Sequence, residues 1–187
     1  MEQKERRGGN AVIILLLLVV GISIGYAALT TTLMINGNST IKKASWDVHF
    51  ANVNVKTGSV AINTTAGEKA ATITDTAATI IDYKITLLQP GDFYEFTVDV
   101  VNGGSLDAAI SAVPTITDIS DHNKYLEYSV VWDDTNEAPA KNDTITGGQS
   151  RPIRVRVAYK TDVNSIDLPG TDKTLELKFS MNFIQAR

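Results

Sequence analysis

The sequence contains no cysteine, and that absence removes structural disulfides, thiolate catalysis and every cysteine-built metal site. Histidine is nearly as scarce. His49 and His122 are the only two, and they stand far apart in different contexts. No HExxH helix is present, and two scattered histidines are too few to argue a Ser-His-Asp constellation. A basic excess is missing as well: 17 Lys and Arg stand against 21 Asp and Glu, a net charge of -4. Residues 1–27 hold Lys4, Arg6 and Arg7 against Glu2 and Glu5, so the remainder is more acidic still. A mildly acidic domain repels polyanions, which excludes nucleic acid as a partner. These absences describe a non-enzyme without cofactor or metal.

Long apolar runs are also lacking, with one exception. Residues 1–10 (MEQKERRGGN) are polar with a basic cluster, and residues 11–29 follow without a single charge, centred on IILLLLVV. A basic flank stays cytoplasmic while the apolar stretch enters the bilayer. Two outcomes are open. Gly25-Tyr26-Ala27 has the small-x-small form that signal peptidase accepts, which places a cut between Ala27 and Ala28. Alternatively residues 11–29, close to the ~20 needed to span, remain as a membrane anchor. Either way the rest is expected outside the membrane, secreted or displayed at the cell surface. An exported chain without disulfides is ordinary in a bacterium of Gram-positive type.

What fills the rest is Thr, Val, Ile, Asn and Asp, a balance that favours strands and turns. Residues 28–35 (ALTTTLMI) alternate, with Leu29, Thr31, Leu33 and Ile35 on one face, and Asn36-Gly37-Asn38 is a turn. Residues 45–55 alternate with Trp46, Val48 and Phe50 facing one way and Asp47 and His49 the other. Short strands are expected at 60–63 and 71–74, and a longer one at 79–88. Gln89-Pro90-Gly91-Asp92 is a strong turn. Residues 93–101 place Phe96, Val98 and Val100 inward, and Asn102-Gly103-Gly104 turns before 106–113 continues. A helical turn at 118–125, capped by Asp118 or Ser120, precedes a strand at 126–132. Residues 133–149 are loop-like. Residues 152–160 (PIRVRVAYK) alternate strictly, with Ile153, Val155 and Val157 inward and Arg154 and Arg156 outward. After a loop at 165–172, residues 174–185 align Leu175, Leu177, Phe179, Met181 and Phe183 on one face. Nine or ten strands at this spacing predict an all-β fold, a two-sheet antiparallel sandwich. The expected division is 1–27 signal peptide or anchor, 28–38 N-terminal strand and hinge, and 39–187 sandwich.

Three features resemble the TasA and camelysin family, secreted biofilm-matrix proteins of spore-forming bacteria. They are the GYA site before Ala28, the block LQPGDFYEFTVDVVNGGSLDAAI at 88–110, and the closing strand LELKFSMNFIQ. Leu29 stands where that family carries an aromatic residue. The resemblance implies a jelly-roll sandwich whose subunits polymerise when the N-terminal strand of one copy completes the sheet of the next. Residues 28–35 are then the donor, with Leu29, Leu33 and Ile35 as anchors and 36–38 as hinge. The partners so implied are other copies of the chain in a filament, signal peptidase, and related matrix subunits. Two other placements of residues 28–35 stay open: first strand of the chain's own sandwich, or a stalk. The family name camelysin also brings a metalloprotease activity, for which His49 beside Asp47 is half of a metal site at most.

The remaining motifs read as ordinary structure. Leu168-Pro169-Gly170-Thr171-Asp172 resembles a sortase signal but ends in Asp172, and is read as a turn. Asp133, Asp134 and Asp143, and likewise Asp162, Asp167 and Asp172, lie on loops, where calcium draws on clustered oxygens. Their spacing fits no EF-hand. The sequons at Asn38, Asn63 and Asn142 are cheap in an Asn/Thr-rich chain. Trp46, Trp132 and Tyr159 are expected in the core rather than on a sugar-binding face.

Overall fold

The computed structural model describes residues 6–28, 34–116, 120–171, 173 and 177–186. They fall into two compact units, Met1–Lys42 and Lys43–Arg187. In the first, helix α1 spans Arg6–Ala28, and its sequence is uncharged from Gly8 onward. Among the described residues, no helix is long and apolar enough to cross a membrane. Residues 34–42 have no regular structure, and their side chains are exposed, Ile35 at 98% and Ile41 at 94%. The strand expected at 28–35 is therefore not found at its described positions: Ala28 ends α1, and Met34 and Ile35 are in no strand. Leu29 and Leu33 lie outside the described residues. An extended segment gains hydrogen bonds only from a partner, and Met34 and Ile35 pair with none of the described strands.

The second unit is built on one continuous antiparallel sheet. Its strands are β1 (Val48–Val55), β4 (Phe93–Asn102), β9 (Ser150–Tyr159) and β7 (Leu126–Trp132), in the order β1-β4-β9-β7. Strands β4 and β9 are ten residues each and pair without a slip from Phe93↔Ala158 to Val101↔Ser150. Strict alternation is what fixes that register, since a one-residue slip would turn every apolar side chain to the wrong face. Tyr94, Phe96, Val98 and Val100 on β4 are all buried, as are Ile153, Val155 and Val157 on β9. Strand β1 carries a bulge between Ala51 and Asn54, centred on Asn52 in the left-handed region at φ 54°.

Shorter strands cover the core face of this sheet. They are β2 (Lys69–Ile73) with β3 (Ile81–Lys84), β5 (Ala108–Ile110) with β8 (Thr144–Ile145) and β11 (Phe183–Gln185), and β6 (Thr115–Ile116) with β10 (Phe179–Ser180). One apolar cluster joins Ala71, Ile110 and Ile145 from this covering layer to Phe96, Trp132 and Ile153 of the sheet. All-β and antiparallel is thus what this unit adopts, with a broken second layer in place of the full second sheet expected. The breaks have local causes. The strands at β5–β6 and β10–β11 run alongside each other, but Pro114 lies between β5 and β6 and has no N–H to offer a ladder.

Other boundaries shift for similar reasons. The strand expected at 79–88 shrinks to β3. The one expected at 60–63 reaches β4 through Val60 N–H, which donates to Phe93 C=O (2.8 Å). It then gives way to a 3-10 turn at Thr64–Ala66, capped by the Asn63 side chain. At the C-terminus the alternation survives while the single strand breaks into β10 and β11. Leu177, Phe179, Met181 and Phe183 are half-buried and their neighbours exposed, with Leu175 outside the described residues. In the 118–125 segment, the described residues turn on His122, whose carbonyl accepts from both Tyr125 and Leu126 N–H. Asp118 is outside them.

Candidate strand-accepting groove

The covering layer leaves a groove of about 1250 Å³ over the core face of the sheet. At its base lie Phe96 and Val98 on β4, Ile153, Val155 and Val157 on β9, and Tyr128 on β7, all but Tyr128 already buried under the covering layer. One wall is residues 79–88, which carry β3, and the other is residues 177–181, which carry β10. Among the described residues β3 pairs only with β2, and β10 only with β6, so each has a second edge facing no described strand. Along β9 the floor runs from Ile153 to Tyr159, about 20 Å of extended chain at ~3.3 Å per residue. Lys84, Lys173 and Lys178 stand on the lining with a single acid, Asp82.

Aromatic packing makes the floor firm. Tyr83 stacks on Tyr94 at 5.9 Å between ring centroids and meets Phe96 edge-on at 5.4 Å. Burial, then the neighbouring Tyr128, pushes the Tyr83 hydroxyl well above its usual pKa, and burial raises Tyr128 too. The Tyr94 hydroxyl accepts from Ala71 N–H (2.8 Å), tying the sheet to β2 beneath the groove.

The opposite face of the sheet is polar and fully occupied with itself. Glu95 is buried, yet it meets Lys56 Nζ and Arg156 Nη1 at 2.7 Å each. Burial alone would raise its pKa, but the hydrogen bonds and charges of Lys56 and Arg156 outweigh that and hold it below the usual carboxylate range. Arg156 also covers the Phe93 ring at 4.3 Å. Arg151 grips Asp134 and lies over Trp132 at 4.2 Å. Arg154 pairs with Asp133 at 2.8 Å. Four of the loop acids considered for calcium, Asp133, Asp134, Asp143 and Asp167, are engaged elsewhere. Asp143 accepts from Trp132 Nε1 (2.7 Å) and Ala140 N–H (2.8 Å), and Asp167 faces Lys124 at 3.7 Å. Asp162 is exposed on its loop, and Asp172 is outside the described residues.

His49 Nδ1 meets Asp47 Oδ1 at 2.9 Å, on a partly exposed edge. His122 pairs with the Tyr125 hydroxyl. Among the described residues, no group of three or more His, Asp or Glu side chains is placed to hold a metal ion. Of the three aromatics expected in the core, Trp132 is there at 1% exposure and Tyr159 is half-buried, but Trp46 is 46% exposed. Trp46 precedes β1, so the alternation that fits the strand does not bury a residue outside it.

Ala27 and Ala28, the expected cleavage pair, are the last two residues of α1. Ile35 lies on the exposed stretch already described, and Leu29 and Leu33 are outside the described residues. Sequence reasoning missed three polar residues that the fold buries among the described residues, Glu68, Glu95 and Asn102. Asn102 reads as a turn residue, but it shares the parity of Phe96, Val98 and Val100, and that signal places it on the core face. Its side chain donates to Leu106 C=O (2.8 Å) and Ile145 C=O (2.9 Å) and accepts from Gly104 N–H (3.1 Å). Comparison of the chain with family models, with curated proteins and with solved structures found no match.

Proposed function

We propose that this chain is an extracellular structural subunit of a surface fibre or biofilm matrix. It assembles by laying the N-terminal strand of one copy into the groove of the next. The observation that carries the reading is the groove itself: an apolar floor between two strand edges, about as long as a short strand. A strand added there gains main-chain hydrogen bonds along β3 or β10 and presents alternate side chains to the floor. Residues 28–35 suit that place, being uncharged and alternating, with Leu29, Leu33 and Ile35 as anchors. Each such side chain contributes about 1.5–3 kcal/mol when fully buried. Donation from one copy to the next does not close on itself, so it yields a filament. A jelly-roll winding, export through the apolar N-terminal segment with release by signal peptidase, and co-assembly with related matrix subunits belong to the same proposal.

The test compares protein starting at Ala28 with protein lacking residues 28–35, by electron microscopy at rising concentration. Filaments from the first and none from the second are expected. Filaments from the shortened protein would overturn strand donation by this segment.

A second reading has its own observation. Helix α1 continues through Ala27 and Ala28, whereas a peptidase needs its scissile bond extended. Retained, residues 11–29 would anchor the unit Lys43–Arg187 at the membrane as an adhesin-like binding module. Intact mass of the exported protein separates the two: a terminus at Ala28 supports the fibre subunit, and a retained Met1 the anchored module.

A further inference from the structure

We propose that Asn36-Gly37 is a site of spontaneous deamidation, and that the fold protects the only other Asn-Gly pair in the chain, Asn102-Gly103. The chemistry needs two things. The backbone nitrogen of the following residue must be free to attack the asparagine Cγ, and the chain must bend into a five-membered ring. Glycine after the asparagine allows that bend because it has no Cβ.

Asn36 and Gly37 meet both needs. They lie in the exposed stretch 34–42, without helix or strand, and a Cβ built on Gly37 would meet nothing within 4 Å. Neither residue is hydrogen-bonded to another described residue. Asn102-Gly103 fails on every count. Asn102 is 0% exposed. Both protons of its amide nitrogen are donated, and its Oδ1 is also bonded. The nitrogen that would attack, that of Gly103, donates to Asp47 C=O at 2.8 Å. Gly103 is also closely packed, since a Cβ there would come within 2.5 Å of Asp47 Oδ2.

The reaction balances with water alone. The Gly37 nitrogen bonds to Asn36 Cγ and loses its proton. The Cγ–Nδ2 bond breaks and ammonia leaves, giving a succinimide. Water then opens one of the two ring carbonyls, leaving either an ordinary aspartyl linkage or an isoaspartyl one. Both place a new negative charge in the stretch between α1 and the β-sheet unit. The isoaspartyl product also threads the main chain through the side-chain methylene, lengthening the link at the position read as a hinge.

The test incubates the whole protein at mildly alkaline pH and follows each site by peptide mapping, with isoaspartyl methyltransferase labelling as a second readout. A parallel sample is held in denaturant, where both sites are open. In the folded protein Asn36 is expected to convert at least about tenfold faster than Asn102, because the latter reacts only on unfolding. In denaturant the two should converge, and Gly37→Ala should slow the first site in both samples. An Asn36 that stays intact while denatured Asn102 converts would overturn the proposal. So would equal conversion of the two sites in the folded protein. Neither result depends on whether the chain forms filaments.

Discussion

Glu95 is the residue on which the polar face of the sheet turns. Its carboxylate is buried between Lys56 and Arg156, and its pKa is held below the usual value. A carboxyl with a depressed folded-state pKa binds its proton less readily than in the unfolded chain. Its contribution to stability is therefore present above the unfolded pKa, near 4.5, and is lost as pH falls through the lower folded value. Glu95→Gln removes that contribution. It should cost about 1–2 kcal/mol at neutral pH, discounted because Lys56 and Arg156 are partly exposed. Denaturant melts at neutral and acid pH should show the variant losing less stability on acidification than the parent. A parallel pair of acid limbs would sink the assignment. Ala78 poses a simpler question. It holds φ at 55°, a region that costs a side-chain-bearing residue about 1–2 kcal/mol, while its carbonyl accepts from Phe50 N–H. Ala78→Gly should raise the thermal midpoint slightly, since relief of strain exceeds glycine's entropic cost of about 0.5–1 kcal/mol.

At the scale of elements, β4 and β9 should be the slowest part of the molecule to open. They pair over their full lengths and are flanked on both sides. The two-residue strands β6, β8 and β10 each hang on one partner and little backbone pairing. Hydrogen exchange followed by mass spectrometry should therefore protect 94–100 and 153–157 most, and 115–116, 144–145 and 179–180 least. Uniform protection across these segments would contradict the layering. The same contrast explains what could be read from the sequence. Where a run alternates strictly over eight or more residues, as at 93–101 and 152–160, strand and buried face were both legible. Where alternation meets Pro114, or where a segment's pairing depends on distant strands, as at 60–63 and 79–88, length was overstated. Asn102 eluded the reading because residue type pointed outward while packing pointed in, and Glu95 because it is buried on the polar face, between Lys56 and Arg156. The groove was not legible at all, since it arises from which strands fail to meet.

For the whole molecule the informative feature is the boundary near Lys42 and Lys43. The first unit ends there and the second begins. Both lysines are exposed, and the chain from 34 to 47 has no helix or strand. A protease must bind about eight residues in extended form, which a paired strand cannot provide without opening. Brief trypsin treatment should accordingly cut after Lys42 or Lys43 before it cuts within any strand. The product should be a resistant fragment running onward to the C-terminal region. Lys56 and Arg156 make a useful internal control: both are basic, but one is salt-bridged to Glu95 just past β1 and the other lies inside β9. Mass spectrometry of the early products would show early cuts at Arg156 if the sheet were loose. The resistant fragment is also the body that a donated strand would complete. If filaments form as proposed, trypsin should trim the soluble form at Lys42 and Lys43 and disperse filaments, because the cut severs each donor from its own body. Filaments that persist after every such link is cut would mean that another surface joins the copies. Re-addition of a peptide of sequence ALTTTLMI to the trimmed body tests the groove directly. Binding that shields residues 81–84 and 179–181 from hydrogen exchange places the strand in the groove, and unchanged exchange there places the contact elsewhere.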